Sequence, residues 1–273
     1  MSRVWFVTGA SRGLGKAIVE AALESGDSVT ATARKPEQLN YLVERFGADR
    51  VLPLQLDVTS NEQALSCVQS TIDKFGSIDV AVNNAGYANL ASVEDITIDD
   101  FHTQFQTNFF GMLYVVKAVL PSMRQKGSGH ILQVSSLGGR VATPGFSAYQ
   151  SAKWAVGGLS SVLQAEVASL GIKVTVLEPG GIKTDWVTSS MGTAPASEPY
   201  KQITSASSDL LHGLHPSWPE AAVIARVVLH ITKVPDPPLR LLLGPDTVPY
   251  AKMAAEMLAE SDDKWSHVTN LTF

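Results

Sequence analysis

Two clusters in this 273-residue chain have residue types and spacing suited to chemistry. The first is Thr8-Gly9-Ala10-Ser11-Arg12-Gly13-Leu14-Gly15. Glycines at these offsets let the backbone approach a pyrophosphate, which then meets the unpaired N–H groups and the positive dipole end of a following helix. The second is the pair Tyr149 and Lys153, four residues apart. On a helix this spacing puts both side chains on one face, so an ammonium can sit near a phenol. An ordinary tyrosine has a pKa of ~10, and bringing it to neutrality takes roughly 4 kcal/mol of differential stabilisation of the phenolate. A tyrosine tuned in this way can act as general acid or general base.

The elements that must hold these residues follow from the hydrophobic pattern. Residues 4–7 form a short apolar run ending in glycine, and 17–23 follow with helical spacing. The alternation continues: strands at 28–33, 51–56, 78–82, 131–134 and 174–177, and helices at 36–46, 61–75, 98–124 and 147–170. Strands alternating with helices of this length imply parallel crossovers and a sheet covered on both faces. Residues 187–219 are rich in Ser, Thr, Ala, Pro and His and read as a substrate lid. A helix at 221–231, a strand at 239–243 and a helix at 247–260 resume the pattern. The expectation is a single-domain α/β Rossmann fold, residues 1–273, with a doubly wound parallel seven-stranded sheet. Within it, 1–185 form the cofactor-binding and catalytic core, 186–219 the lid after the sixth strand, and 220–273 complete the sheet.

Composition narrows the function classes. With 45% hydrophobic and 17% charged residues the chain can bury a core, which argues against disorder. Residues 1–136 hold 11 basic and 14 acidic side chains and the remainder 10 and 12, so no basic arm points to nucleic acid. One cysteine, Cys67, cannot form an intramolecular disulfide and fits a reducing, cytoplasmic location. No apolar run reaches the length of a membrane span. His212 and His215 have no Cys, Asp or Glu at ligand spacing, so no metal is expected. Trp186, Met191 and Tyr200 are the best candidates for substrate contact in the lid.

The glycine turn, Thr-Gly-x-x-x-Gly-x-Gly, and Tyr149-x-x-x-Lys153 resemble the motifs of the short-chain dehydrogenase/reductase family. Further matches fall in that family's order: Asp57 after the third strand, Asn83-Asn84-Ala85-Gly86 after the fourth, and Asn108 in the fifth helix. Ser136 ends the fifth strand, and Pro179-Gly180-Gly181-Ile182-Lys183-Thr184 follows the sixth. The resemblance covers residues 3–185; residues 239–246 and the long tail look like the branch related to 17β-hydroxysteroid and retinol dehydrogenases.

The resemblance implies a catalytic set of Asn108, Ser136, Tyr149 and Lys153. Ser136 polarises the substrate oxygen, with Ser135 the competing candidate. Tyr149 transfers the proton, and Lys153 shares its tuning with the charge of an oxidised nicotinamide. Asn108 holds a water that relays protons through Lys153. Cofactor contacts carried over are Gly9, Ser11, Arg12, Gly13, Leu14 and Gly15 in the turn, and Asp57 and Val58 at the adenine. Asn84, Ala85 and Gly86 border the ribose, Tyr149 and Lys153 contribute again, and Pro179, Gly180, Ile182 and Thr184 flank the nicotinamide. Asn83 more naturally braces the sheet.

Charge decides the cofactor. An NAD site usually places an acid at the end of the second strand, where Ala33 stands here, followed by Arg34. Arg12 and Arg34 offer two guanidinium forks for a 2′-phosphate, so NADP(H) is expected. The activity expected is reduction of a ketone, or oxidation of a secondary alcohol, with a bulky apolar substrate. The alternatives are a ketoreductase for a sugar, acyl or secondary-metabolite substrate, and a catalytically silent NADPH-binding sensor or interaction protein. A homodimer or homotetramer follows by resemblance.

Overall fold

The computed structural model describes residues 2–186, 190–193, 195–214 and 217–271. Residues 187–189, 194, 215 and 216 of the expected lid, His215 among them, lie outside the described residues. Among the described residues, seven parallel strands form one sheet in the order β3-β2-β1-β4-β6-β7-β9. They are β1 (Val4–Val7), β2 (Ser28–Ala33), β3 (Val51–Gln55), β4 (Val80–Asn83), β6 (Gly129–Val134), β7 (Ile172–Pro179) and β9 (Arg240–Leu243). The central strand β1 shows why both faces must be covered. Trp5 and Val7 join the core beneath α1 (Gly13–Glu24) and α8 (Ala221–Ile231), whereas Phe6 joins the core on the opposite face. Successive strand residues point to opposite sides, so a run buried at every position needs a helical layer on each. The second layer is α3 (Asn61–Phe75), α5 (Gly111–Lys126) and α6 (Ser147–Val167).

Strand order reverses between β1 and β4, so connections leave the two strands in opposite directions and open a crevice at their carboxyl ends. The glycine turn follows β1, and residues 84–86 follow β4, at that point.

Four elements differ from the sequence expectation. The long helix expected at 98–124 is two helices, α4 (Ile98–Phe105) and α5, joined by a π-turn at Gln106–Phe110. Asn108 sits at the break: its Nδ2 donates to the helical Gln104 carbonyl at 3.0 Å and to the Tyr87 carbonyl, in the loop after β4, at 2.9 Å, so its side chain ties the turn to that loop. The helix expected at 36–46 begins as a 3-10 turn, Pro36–Leu39, before α2 (Asn40–Phe46). The segment read from sequence as a lid carries regular structure, a strand β8 (Met191–Thr193) paired in parallel with β5 (Ala88–Leu90) and a 17-residue helix α7 (Glu198–Leu214). The last helix, α9 (Thr247–Thr269), runs nine residues past the expected end, and only Thr247 and Ala251 in it are buried.

Candidate active site

A cavity of about 980 Å³ occupies the crevice. Its floor is the glycine turn, which is built by contact too close for side chains. Gly9 and Gly13 hold φ of 66° and 54°, a region open to glycine. A Cβ on Gly15 would stand 2.3 Å from the Gly9 carbonyl oxygen. Asn84 locks this turn to the end of β4: its Nδ2 donates to the carbonyls of Thr8 (3.0 Å) and Gly9 (3.1 Å). The Thr8 hydroxyl in turn accepts from the backbone N–H groups of Asn84 and Ala85. Arg12 is the N-cap of α1 without capping it by its side chain, so the first-turn N–H groups face the cavity side of the turn.

The catalytic candidates converge on one wall. Tyr149 and Lys153 project from α6, with the lysine Nζ 5.5 Å from the phenol ring centroid. Lys153 is 4% exposed, and its Nζ donates to the Val134 carbonyl at 2.8 Å. Ser136 caps the 3-10 turn Leu137–Gly139, its hydroxyl accepting from Gly138 N–H at 3.0 Å, and it lines the cavity. Ser135 is buried instead and donates its hydroxyl to the Lys153 carbonyl at 3.1 Å. Both serines border the cavity, but the Ser135 hydroxyl is spent on α6, whereas that of Ser136 bonds Tyr149.

The electrostatics depart from the simple picture of a lysine lowering a tyrosine. Burial pushes the Tyr149 phenol up to about 12, and a hydrogen bond with Ser136 pulls it partly back. Burial also pulls Lys153 down to about 8, because an ammonium loses hydration there. Without a further positive charge in the cavity Tyr149 is therefore a protonated acid at neutral pH.

Of the other residues expected at the site, Gly9, Ser11, Arg12, Gly13, Leu14, Arg34, Asp57, Val58, Asn84, Ala85, Gly86, Pro179, Gly180, Ile182 and Thr184 line the cavity. Gly15 and Asn108 do not. Gly15 lies beneath the turn, and Asn108 is 2% exposed behind Gly86, where a Cβ would meet its Oδ1 at 2.5 Å. Arg34 is exposed at the rim, whereas Arg12 reaches across and donates to the Ser190 hydroxyl at 2.7 Å. Asp57 accepts from Thr59 N–H and hydroxyl, a local turn that orients its carboxylate. Asn83 bridges to Gln133 at 2.9 Å within the sheet.

The opposite wall is apolar. Phe146, Trp186, Met191 and Leu211 cluster around Tyr149, whose ring centroid lies 5.6 Å from that of Trp186. Tyr200, offered as a contact, is not part of this wall; its hydroxyl donates to Glu94 on the outer surface. Gln150, Leu211, Trp218 and Tyr250 were not singled out from sequence. Gln150 adjoins Tyr149 on α6 and carried a positional signal; the others lie on elements without a motif. Among the described residues, no group of three or more His, Cys, Asp or Glu could hold a metal ion, and no helix is long and apolar enough to cross a membrane.

The family model described as short chain dehydrogenase matches residues 3–193. An oxidoreductase of Botryotinia fuckeliana is 59% identical over 272 residues, 98% of each chain. The crystal structure of a short-chain dehydrogenase from Streptomyces avermitilis superposes with a TM-score of 0.92 at 34% identity, covering 98% of this chain and 97% of that one. An alcohol dehydrogenase from Thermococcus sibiricus, complexed with 5-hydroxy-NADP, gives 0.74 at 25% identity over 89% of this chain and 97% of its own.

Proposed function

Because the chain belongs to the short chain dehydrogenase family of oxidoreductases, we propose that it is an NADP(H)-dependent carbonyl reductase that acts on a bulky apolar ketone or the matching secondary alcohol. The observation that carries this reading is the joining, in one cavity, of the glycine turn and Arg34 at one end with Ser136, Tyr149 and Lys153 beside an apolar wall. The turn fits a dinucleotide on its own geometry, since Gly9, Gly13 and Gly15 leave no space or backbone conformation for side chains. Arg34 and Arg12 would hold the 2′-phosphate, Arg12 exchanging its bond to Ser190, and no acid stands at Ala33 to repel it. The NADP-type ligand of the Thermococcus sibiricus enzyme supports the same choice. Asp57 and Val58 border the adenine, Ala85 and Gly86 the ribose, and Pro179, Gly180, Ile182 and Thr184 the nicotinamide, while Asn84 supports the site through the turn.

When bound, the nicotinamide supplies or accepts the hydride. Ser136 holds the substrate oxygen by its hydroxyl. Tyr149, protonated at neutral pH, donates to that oxygen in reduction and accepts from it in oxidation. Lys153 binds ribose hydroxyls and keeps a cation near the phenol. Asn108 fixes the π-turn behind Lys153, on the side from which a water reaches it. Residues 186–219 form the lid of this reading, which also includes a cytoplasmic homodimer or homotetramer.

Purified protein supplied with NADPH or NADH and a panel of ketones tests the proposal. Faster consumption of NADPH with large apolar ketones is expected. Tight NADPH binding with no consumption across the panel would replace it with a silent sensor.

A further inference from the structure

Behind the catalytic wall, and outside the cavity, the Glu178 side chain is 0% exposed at the end of β7. Arg140 donates from Nε (2.8 Å) and Nη2 (2.5 Å) to Oε2, and Arg240 donates from Nη1 to Oε1 at 3.0 Å. Both carboxylate oxygens are thus held by cations from different elements. Arg140 closes the 3-10 turn that Ser136 opens. Glu178 immediately precedes Pro179 and Gly180. Arg240 begins β9 and lies against Gly157, where a Cβ would stand 2.5 Å from its Nη2. Tyr149, Lys153 and Gly157 succeed one another at four-residue steps on α6, so the glycine leaves room for Arg240 on the face that carries the proton-transfer pair.

A buried carboxylate held by half-buried arginines adds little stability over apolar side chains of equal volume. What it adds is direction, because forked charge-assisted bonds fix orientation where apolar contacts allow sliding. We propose that Glu178, Arg140 and Arg240 are positioning residues that set the Ser136 turn and the Pro179–Gly180 strand end at fixed spacing from Tyr149 and Lys153. None touches the reacting atoms, and the inference rests on the reductase reading for its kinetic consequence.

Three variants test it: Arg140→Met, Glu178→Gln, and the double variant Arg140→Met/Glu178→Met, which removes the buried carboxylate and leaves only the solvent-reaching Arg240 without its partner. The single variants should lower kcat for ketone reduction about 10- to 100-fold, the scale of a misplacement near 1 Å, with the NADPH Kd within about two-fold. The double variant should recover Tm relative to the singles while kcat stays low. If kcat recovers together with Tm, or the single variants keep wild-type kcat, the network is merely structural and the proposal fails. A crystal structure of the double variant reads the same claim without turnover: the Ser136 hydroxyl should shift from Tyr149 by about 1 Å. An unmoved Ser136 would overturn the proposal. A wild type that reduces no carbonyl would defeat the reductase reading alone, and the Ser136 position would still decide this one.

Discussion

The two walls of the cavity are made in different ways. On the cofactor side, backbone meets backbone: a Cβ on Gly9 would lie 3.0 Å from Ala85 Cα, and Asn84 ties the turn to β4 by bonds to two carbonyls. On the lid side, α7 buries only Thr204 and Ser207, and Leu210, which lines the cavity, is 58% exposed. The first wall admits one geometry, dictated by the close approach of backbone to backbone. The second is a loosely covered apolar surface whose side chains can change without disturbing the sheet. Chemistry and cofactor choice should therefore respond to substitutions on the first wall, and substrate choice to those on the second.

The largest effect expected is that of Tyr149→Phe. Removing the proposed proton donor should lower kcat by about 10²- to 10⁴-fold while the NADPH Kd, measured by fluorescence titration, changes little. A variant as active as wild type would remove Tyr149 from the chemistry. Next is Arg34→Ala, which would delete the proposed charge-assisted bond to the 2′-phosphate and should move the NADPH-to-NADH preference in kcat/KM by about 10- to 100-fold toward NADH. An unchanged ratio would place phosphate recognition elsewhere.

The pH dependence follows from the same wall. In the free enzyme Tyr149 stays protonated up to about 12, and Lys153 loses its charge above about 8. For reduction, kcat/KM should be flat through neutrality and fall about tenfold per unit above that point, since this parameter reports free-enzyme groups. A profile still flat beyond pH ~10, the ordinary lysine range, would show that Lys153 keeps its proton or that its charge is not needed. The smallest effect belongs to the lid. Leu211→Ala, at the apolar wall, should raise KM for bulky ketones by about 3- to 10-fold through lost burial and leave the NADPH Kd alone. A matching loss of NADPH affinity would mean that the walls are not separable.

The same contrast explains what was legible in the sequence. β2 and α3 fall at the expected bounds because a continuous buried run in the strand and a helical burial period in the helix end at clear turn signals, including the Ser60 cap that accepts from Gln63. The glycine turn was readable because close backbone contact and positive φ leave few residue types possible. β5 and β8, three residues each, are too short for alternation to register, and their pairing joins positions about a hundred residues apart. The π-turn at Asn108 was invisible because the apolar period runs through it; only the side chain's bonds to Gln104 and Tyr87 reveal the change. Tyr149's upward shift was also missed, since spacing reports the neighbouring lysine and not the depth of burial. α7 lacked a signal because its serines and threonines dilute a stripe that meets the body only in part.

Hydride transfer itself is the most direct test. NADPH carrying deuterium at nicotinamide C4 on the transferred face, mixed with protein and a bulky apolar ketone, should yield an alcohol with deuterium at the carbinol carbon. Tyr149→Phe should yield almost none, although it binds the same cofactor. NADPH that binds tightly to the wild type yet passes no deuterium to any ketone, with each C4 isotopomer tried, would contradict the assignment of this wall to carbonyl reduction.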